Sequence, residues 1–254
     1  ISGVNGASLG VTASKQISYS VQSIAPVQDS TAELKQVTEI TLPHIPQKVG
    51  LPVTLTVDGA DYVYHVSQQD FDAGEFLNKQ NEPAYAWFGH SALALRLDGF
   101  NILIDPMLGQ DASPIGPART KRFSERSLEQ IELMPDLDLV LISHDHYDHL
   151  DMNSILKLES KVKSFVVALG LKRHLIAWGI DASRIEEMDW WDQKQIGNLE
   201  IHFTPSRHFS GRGPLNRNST LWASWAIKSE KGKIYFSGDS GYGKHLKTIG
   251  NEHG

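Results

Sequence analysis

The rhythm of apolar and polar positions changes along the chain, and each change predicts a different element. In LPVTLTVDGADYVYHV, residues 51–66, Val53, Leu55 and Val57 alternate with polar positions, Asp58-Gly59 gives a turn signal, and Tyr62 and Tyr64 resume. A period of two broken by Asp-Gly predicts a β-hairpin. Upstream, TAELKQVTEI is compatible with a surface helix or a strand. From residue 84, AYAWF, SALALRL and NILIDP are short β-favouring runs, with Asp98-Gly99 placed as the turn of a tight hairpin. Residues 110–127 read as a loop containing Pro, Gly and Arg. SLEQIELM then predicts a short helix capped by Ser127 and stopped by Pro135, and LDLVLIS, 137–143, a strongly apolar strand. MNSILKLES is a helix, KSFVVAL a strand, LKRHLIAWG a helix ending at Gly179, and RIEEM a weaker strand. LEIHFTPS, TLWASWAI and KGKIYFSGD are three further strands. Hairpins giving way to strand–helix alternation and back to hairpins predict a layered α/β fold with a mixed sheet, not a doubly wound parallel one.

Composition narrows the chemistry. The 254 residues hold 40% hydrophobic and 21% charged side chains, an ordinary globular balance, with no cysteine and 11 histidines. A disulfide framework, an iron–sulfur cluster, a thiolate-held zinc and a cysteine nucleophile are thereby excluded, so a bound metal must use nitrogen and oxygen. The formal charge of −6, without a polybasic tail, disfavours nucleic acid as a partner. No run approaches the 18 apolar residues of a membrane-spanning helix. The first eighty residues contain neither Arg nor Trp, which predicts an N-terminal extension over residues 1–80, with the hairpin, ahead of a dense domain over 81–254.

Directly after the apolar strand comes HDHYDHLD, where His144, His146, Asp148 and His149 pack four potential metal ligands into six residues. A solvated polar loop would account for one histidine, but not for this density behind a buried strand. In extended chain, residues two apart share a side, so His144 and His146 can grip one ion while the following turn sends Asp148 and His149 towards a second. Two distant segments can complete the set. FTPSRHFSGRG places His208 just past a strand, and IYFSGDSGYG places Asp239 in a glycine-lined turn. His144, His146 and His208 would then form a three-nitrogen site, with Asp148, His149 and Asp239 beginning a second and Asp239 bridging. Two ions so placed suit hydrolysis by an activated water.

The motif His144-Asp-His146-Tyr-Asp148-His149 resembles the HxHxDH signature of the metallo-β-lactamase superfamily, whose fold is an αββα sandwich of mixed sheets. More narrowly, WFGHSALALRLDGFNILIDPML, SPIGPARTKRF, LISHDHYDHLD, TPSRHFSGRG and YFSGDSGYG look like the branch containing N-acyl-phosphatidylethanolamine-hydrolysing phospholipase D and its bacterial relatives. The resemblance implies zinc, two ions in the complete protein, with manganese or iron also suited to such ligands. His144, His146 and His208 would bind one ion, Asp148 and His149 the other, with Asp239 shared and Asp148 also orienting the nucleophile. Asp105, at the end of NILID, would hold the HDHYDH segment by hydrogen bonding, a simple strand-end turn role being the alternative. His90 is either a contact for the substrate phosphate or a hydrogen-bonded turn histidine. Arg119, Lys121 and Arg122 could meet an anionic substrate but fit a solvated face better. Trp222 and Trp225 fit strand packing better than an apolar entrance, where Trp190 and Trp191 could also lie, and Tyr147 is a loop packer.

The same resemblance calls for a further histidine beyond another strand, whereas the sequence stops fifteen residues after Asp239. His245 and His253 lie too close to Asp239 for that role and are expected on the surface. The expectation is an αββα domain truncated at its C-terminus: a fragment or proteolytic product, a chain whose remainder is a complementary C-terminal chain, or a protein incomplete as a dinuclear enzyme, with a homo-oligomer also open as a partner. The implied activity is a phospholipase-D-like phosphodiesterase using a metal-bound hydroxide on a phospholipid or small-molecule substrate, with peripheral membrane contact. Hydrolysis of a lactone, ester or amide at the same site, or a metal-binding structural subunit without independent activity, are the alternatives. Cytoplasm and periplasm both stay open.

Overall fold

The computed structural model describes residues 70–78, 83–113 and 126–254 and, before residue 70, the backbone of four strands. These four, β1 (Tyr19–Ser23), β2 (Ile40–Thr41), β3 (Pro52–Val57) and β4 (Ala60–Gln68), form an antiparallel sheet in the order β1-β4-β3-β2, with Val57 opposite Ala60. The Asp58-Gly59 turn, residues 31–39, the boundary near residue 80 and the loop carrying Arg119, Lys121 and Arg122 lie outside the described residues. A short helix, α1 (Ala73–Asn78), follows; the sequence pattern did not predict it, since only Phe76 of its six residues is buried.

A six-stranded mixed sheet is built from β5 (Ala84–Trp87), β6 (Leu93–Leu97), β7 (Phe100–Ile104), β8 (Leu137–Ile142), β9 (Val162–Ala168) and β10 (Ile185–Met188), in the order β10-β9-β8-β7-β6-β5. The β6–β7 turn has left-handed backbone at both Asp98 (φ 50°) and Gly99 (φ 85°), as a two-residue turn matching strand twist requires. From β7 onward the strands run parallel and each connection is helical: α2 (Gln130–Leu133), α3 (Met152–Leu158) and α4 (Lys172–Ala177). Helices on one face and a second sheet on the other explain the nearly unbroken apolar run of β8. The helix expected at SLEQIELM begins instead as a 3-10 turn, Ser127–Glu129, with Ser127 inside it and Arg126 at its cap. Asp151 caps α3 through its carboxylate, which accepts from Ser154 N at 2.9 Å and Ser154 Oγ at 2.6 Å.

The second sheet is antiparallel: β11 (Gln193–Ile196), β12 (Leu199–Pro205), β13 (Ala223–Ser229) and β14 (Gly232–Phe236). Its edge strand β11, sequence QKQI, escapes pattern reading because it has no apolar alternation. Ile201 and Phe203 of β12 and Trp225 and Ile227 of β13 join Leu139, Leu141 and Phe165 of the first sheet in one core. Trp225 is fully buried against Phe203, which removes it from any entrance. Alternation turns His202 to the other face. There α5 (Lys244–His253) covers the sheet, with Ile249 buried and the His253 ring 4.2 Å from that of His202. His253, expected on the surface, is therefore a packed side chain. The layers are helices, sheet, sheet, helix: an αββα sandwich.

Candidate metal centre

Strand direction brings the sequence-distant residues to one edge. β5, β7 and β8 point the same way in the first sheet, and β12 and β14 the same way in the second, both being antiparallel to β13. Each candidate residue lies within a few positions of the C-terminal end of one of these five strands. His90 follows β5, Asp105 follows β7, the segment from His144 to His149 follows β8, His208 follows β12 and Asp239 follows β14. Seating Asp239 requires the glycine before it: Gly238 has φ 52°, and a Cβ there would lie 2.8 Å from Ala223 O and 3.2 Å from Ser143 Cβ.

Three imidazoles converge. His146 Nδ1 lies 2.9 Å from His144 Nε2 and 3.0 Å from His208 Nε2, and His208 Nε2 lies 3.5 Å from Asp239 Oδ2. The other carboxylate oxygen, Oδ1, is 3.3 Å from His149 Nε2, which is in turn 3.9 Å from Asp148 Oδ2. Ligands on a tetrahedral zinc with bonds of about 2.0–2.1 Å sit about 3.3 Å apart. The observed spacings of 2.9–3.5 Å in the first group are thus those of donors gathered around one ion. Two sets result, His144, His146, His208 and Asp239, and Asp148, His149 and Asp239, which share one carboxylate. The donor chemistry and spacing fit two divalent cations.

Asp105 satisfies the spacing test for a third set, with His144 and His149, but its oxygens are already engaged. Oδ1 accepts from Ser143 N at 2.7 Å; Oδ2 accepts from Ser143 Oγ at 2.6 Å and from His149 Nδ1 at 2.7 Å. Since Ser143 Oγ gives its proton to the carboxylate, it accepts from His144 Nδ1, 2.9 Å away, leaving the His144 Nε2 lone pair aimed at the centre. Asp105 has φ 44° and His90 φ 51°, both left-handed conformations that non-glycine residues rarely adopt. His90 Nε2 lies 3.0 Å from Asp148 Oδ2, and Ser91 Oγ donates to Asp148 O at 2.5 Å. His90 is thus both a turn residue and a wall of the site. A cavity of about 370 Å³ opens beside it, with Trp87, Leu93 and Phe236 forming its apolar side and His149 and Asp239 its polar floor.

The electrostatics differ between the two sets. Burial, reinforced by the neighbouring imidazoles, holds His144 neutral, far below the ordinary histidine range. Burial lowers His146 and His208 as well, against the pull of nearby aspartates. For His149 burial also opposes the charge, yet the charge and hydrogen bond of Asp105, with Asp239 and Asp148, outweigh it and raise the pKa to about 10. Burial works against the Asp148 charge too, but the hydrogen bond with His90 and the charge of His149 bring it down to about 2. Asp239 is lowered chiefly by its hydrogen bond with His149. One side offers proton-free nitrogens; the other is a negative well that a cation can occupy in place of a proton.

Sequence reasoning passed over Ser91, Ser143, Asp145 and Arg212. For Asp145 a signal existed: in an extended HDH segment the middle residue points opposite to its neighbours, and here it is fully buried. Trp190 and Trp222 pack edge to face at 5.6 Å, while Trp191 is about half exposed. His245 Nε2 lies 3.0 Å from Ser240 Oγ, away from the ligand sets.

An αββα sandwich with a two-ion donor set at one edge defines a class of metal-binding hydrolases. Residues 100–254 match the family model described as a beta-lactamase superfamily domain. This chain belongs to the metallo-β-lactamase superfamily. It is 42% identical over 172 residues to an uncharacterized protein of Mycobacterium tuberculosis, covering 67% of this chain and 46% of the relative. It is 31% identical over 205 residues to N-acyl-phosphatidylethanolamine-hydrolyzing phospholipase D 1 of Caenorhabditis elegans, covering 76% and 55% respectively. The chain thus spans about half the length of these curated relatives. Among solved structures it shares its fold with CmlA, a diiron β-hydroxylase from Streptomyces venezuelae, at a TM-score of 0.50 and 20% identity over 67% of this chain and 32% of the other. No helix among the described residues is long and apolar enough to cross a membrane.

Proposed function

We propose that this chain carries the catalytic centre of a zinc-dependent phosphodiesterase of the phospholipase D type. The observation that supports the reading best is the shared carboxylate, with Asp239 Oδ2 turned to the three-histidine set and Oδ1 to His149. His144, His146 and His208 would hold one ion, Asp148 and His149 the other, and Asp239 both. Bound there, two divalent ions acidify a water and stabilise the charge that develops on phosphoryl oxygens. The donors also suit manganese or iron.

Around that centre the chain's own residues set orientation. Asp148, ionised at neutral pH, with His90 on its carboxylate and Ser91 on its backbone carbonyl, would orient the attacking water by accepting a hydrogen bond from it. Trp87, Leu93 and Phe236 give the apolar part of a lipid a wall to lie against, while His90 stands where a phosphate would enter. The products would be phosphatidic acid and an alcohol or N-acylethanolamine, and the named activity of the nematode relative favours this substrate class. Contact with a membrane would be peripheral, in either the cytoplasm or the periplasm.

The test pairs bound-zinc stoichiometry with turnover of an N-acylated phosphatidylethanolamine, a lactone and a simple ester. His146→Ala and Asp239→Asn are expected to cut turnover at least about a hundredfold, several kcal/mol of lost charge stabilisation, while circular dichroism is unchanged. Near-parental zinc-dependent turnover in both variants would sink the ligand assignment. Turnover of the lactone or ester in place of the phospholipid would overturn the substrate and leave the metal assignment standing.

A further inference from the structure

The loop bearing His208 and the loop bearing the other histidines come from different sheets, yet their ligand atoms meet within 3.0 Å. Arg212, four residues beyond His208, spans the gap. Its Nη1 donates to Asp145 O and to Leu150 O, each at 2.8 Å, the two carbonyls that bracket His146, Asp148 and His149. The guanidinium lies 3.9 Å from the Tyr147 ring centroid, and Tyr147 Oη donates back to Arg212 O at 3.1 Å. Beside it Gly211 N donates to Asp145 Oδ1 at 2.6 Å. Gly211 has φ 135°, and a Cβ there would meet Arg217 Cα at 3.0 Å, so this backbone approach needs a glycine.

We propose that Arg212 is a positioning residue for the metal centre: by gripping both ends of the His146–His149 turn, it sets the separation between His208 and the histidines of the other loop. The inference rests on reading these histidines as ligands. The other partners of Arg212 point the same way: Asp145 and Asp151, whose charges oppose the effect of burial, lie with Tyr147 and Leu150 in the one segment that carries His146, Asp148 and His149, and the Trp178 ring centroid is 5.6 Å away. A lysine ammonium could donate to both carbonyls, as the single Nη1 does here, but it has no plane to stack on the Tyr147 ring and so holds the turn less rigidly.

The experiment titrates the full chain with zinc against a chromophoric chelator and records the visible spectrum of the cobalt(II)-loaded protein, whose d–d bands report ligand geometry. Arg212→Ala is expected to weaken metal binding about 10–100-fold and to alter the cobalt bands, with Arg212→Lys in between and Tyr147→Phe near parental. A purely structural role would lower the urea midpoint and leave the affinity and spectrum of the folded protein unchanged, and that result in Arg212→Ala overturns the proposal. If Arg212→Ala does not fold, Arg212→Lys decides: parental affinity and bands overturn the proposal, reduced affinity with altered bands sustains it. Failure of the parent itself to bind zinc or cobalt would instead refute the ligand reading.

Discussion

Replacing Asp105 by asparagine keeps the shape of a fully buried side chain and removes both its negative charge and its capacity to accept at both oxygens. Three donors point at it: Ser143 N–H at Oδ1, and Ser143 Oγ–H and His149 Nδ1–H at Oδ2. If the amide nitrogen takes the Oδ1 position it faces a backbone N–H that cannot reverse. If it takes the Oδ2 position, His149 must give up its Nδ1 proton and keep only the one on Nε2, the nitrogen directed at Asp239, and the serine hydroxyl must accept from the amide, which reverses its link to His144. The first arrangement leaves a buried donor facing a donor, the second forces a change of protonation on a ligand, and in both a charge-assisted hydrogen bond worth about 1.5–3 kcal/mol is lost. Hydrogen-bond partners of metal ligands change affinity by about 10–100-fold, which is about 1.4–2.8 kcal/mol. Asp105→Asn is therefore expected to lower stability in urea by about 1.5–3 kcal/mol without metal and, separately, to weaken zinc binding by one to two decades in chelator competition. An asparagine variant with parental urea midpoint and parental zinc affinity would refute the claim that this carboxylate sets the tautomers of the two ligands.

Gly238→Ala places a side chain at φ 52° and 2.8 Å from Ala223 O, and should cost about 1–3 kcal/mol in urea unfolding together with weaker metal binding through Asp239; a parental midpoint would remove the argument for a required glycine. Metal removal should be visible without any substrate. At a zinc concentration a thousandfold above Kd, one site adds about 4 kcal/mol of stability, so the thermal midpoint must fall when a chelator replaces zinc. Coincident melting curves in zinc and in chelator would contradict a metal centre in the native state.

How much of this was legible in the sequence follows from the range of each interaction. Periodicity and turn chemistry are local, so the Asp98-Gly99 hairpin and the strands LDLVLIS and KSFVVAL stand out before any fold is known. The polar strand QKQI does not, because it exists only through pairing with β12. The cluster His144, His146, Asp148 and His149 is legible because one loop holds it. His208 and Asp239 are not tied to it by spacing: 62 residues separate His146 from His208. They were reachable because each ends a strand beside turn-forming glycines. Arg212 carried no such signal, since its partners are backbone carbonyls of a loop that only the tertiary fold brings near.

The two halves of the centre reach their charge states by opposite physics, and this asymmetry is what a two-ion site needs. Around His144 the chain supplies burial and then neighbouring imidazoles, which disfavour protonation of the nitrogens and leave ligand atoms converging within 3.0 Å of one another. Around His149 it supplies Asp105, Asp148 and Asp239, a local excess of negative charge that a proton only partly relieves. Three imidazoles alone would bind one ion and leave its charge uncompensated in a buried setting. Three carboxylates alone would repel each other and protonate. Placing Asp239 between them, one oxygen to each side, lets a single carboxylate offset charge in both halves while holding them at a fixed separation. The glycine that seats Asp239 and the arginine that ties the His208 loop to the turn are thus parts of the same device, because each sets a distance on which that sharing depends.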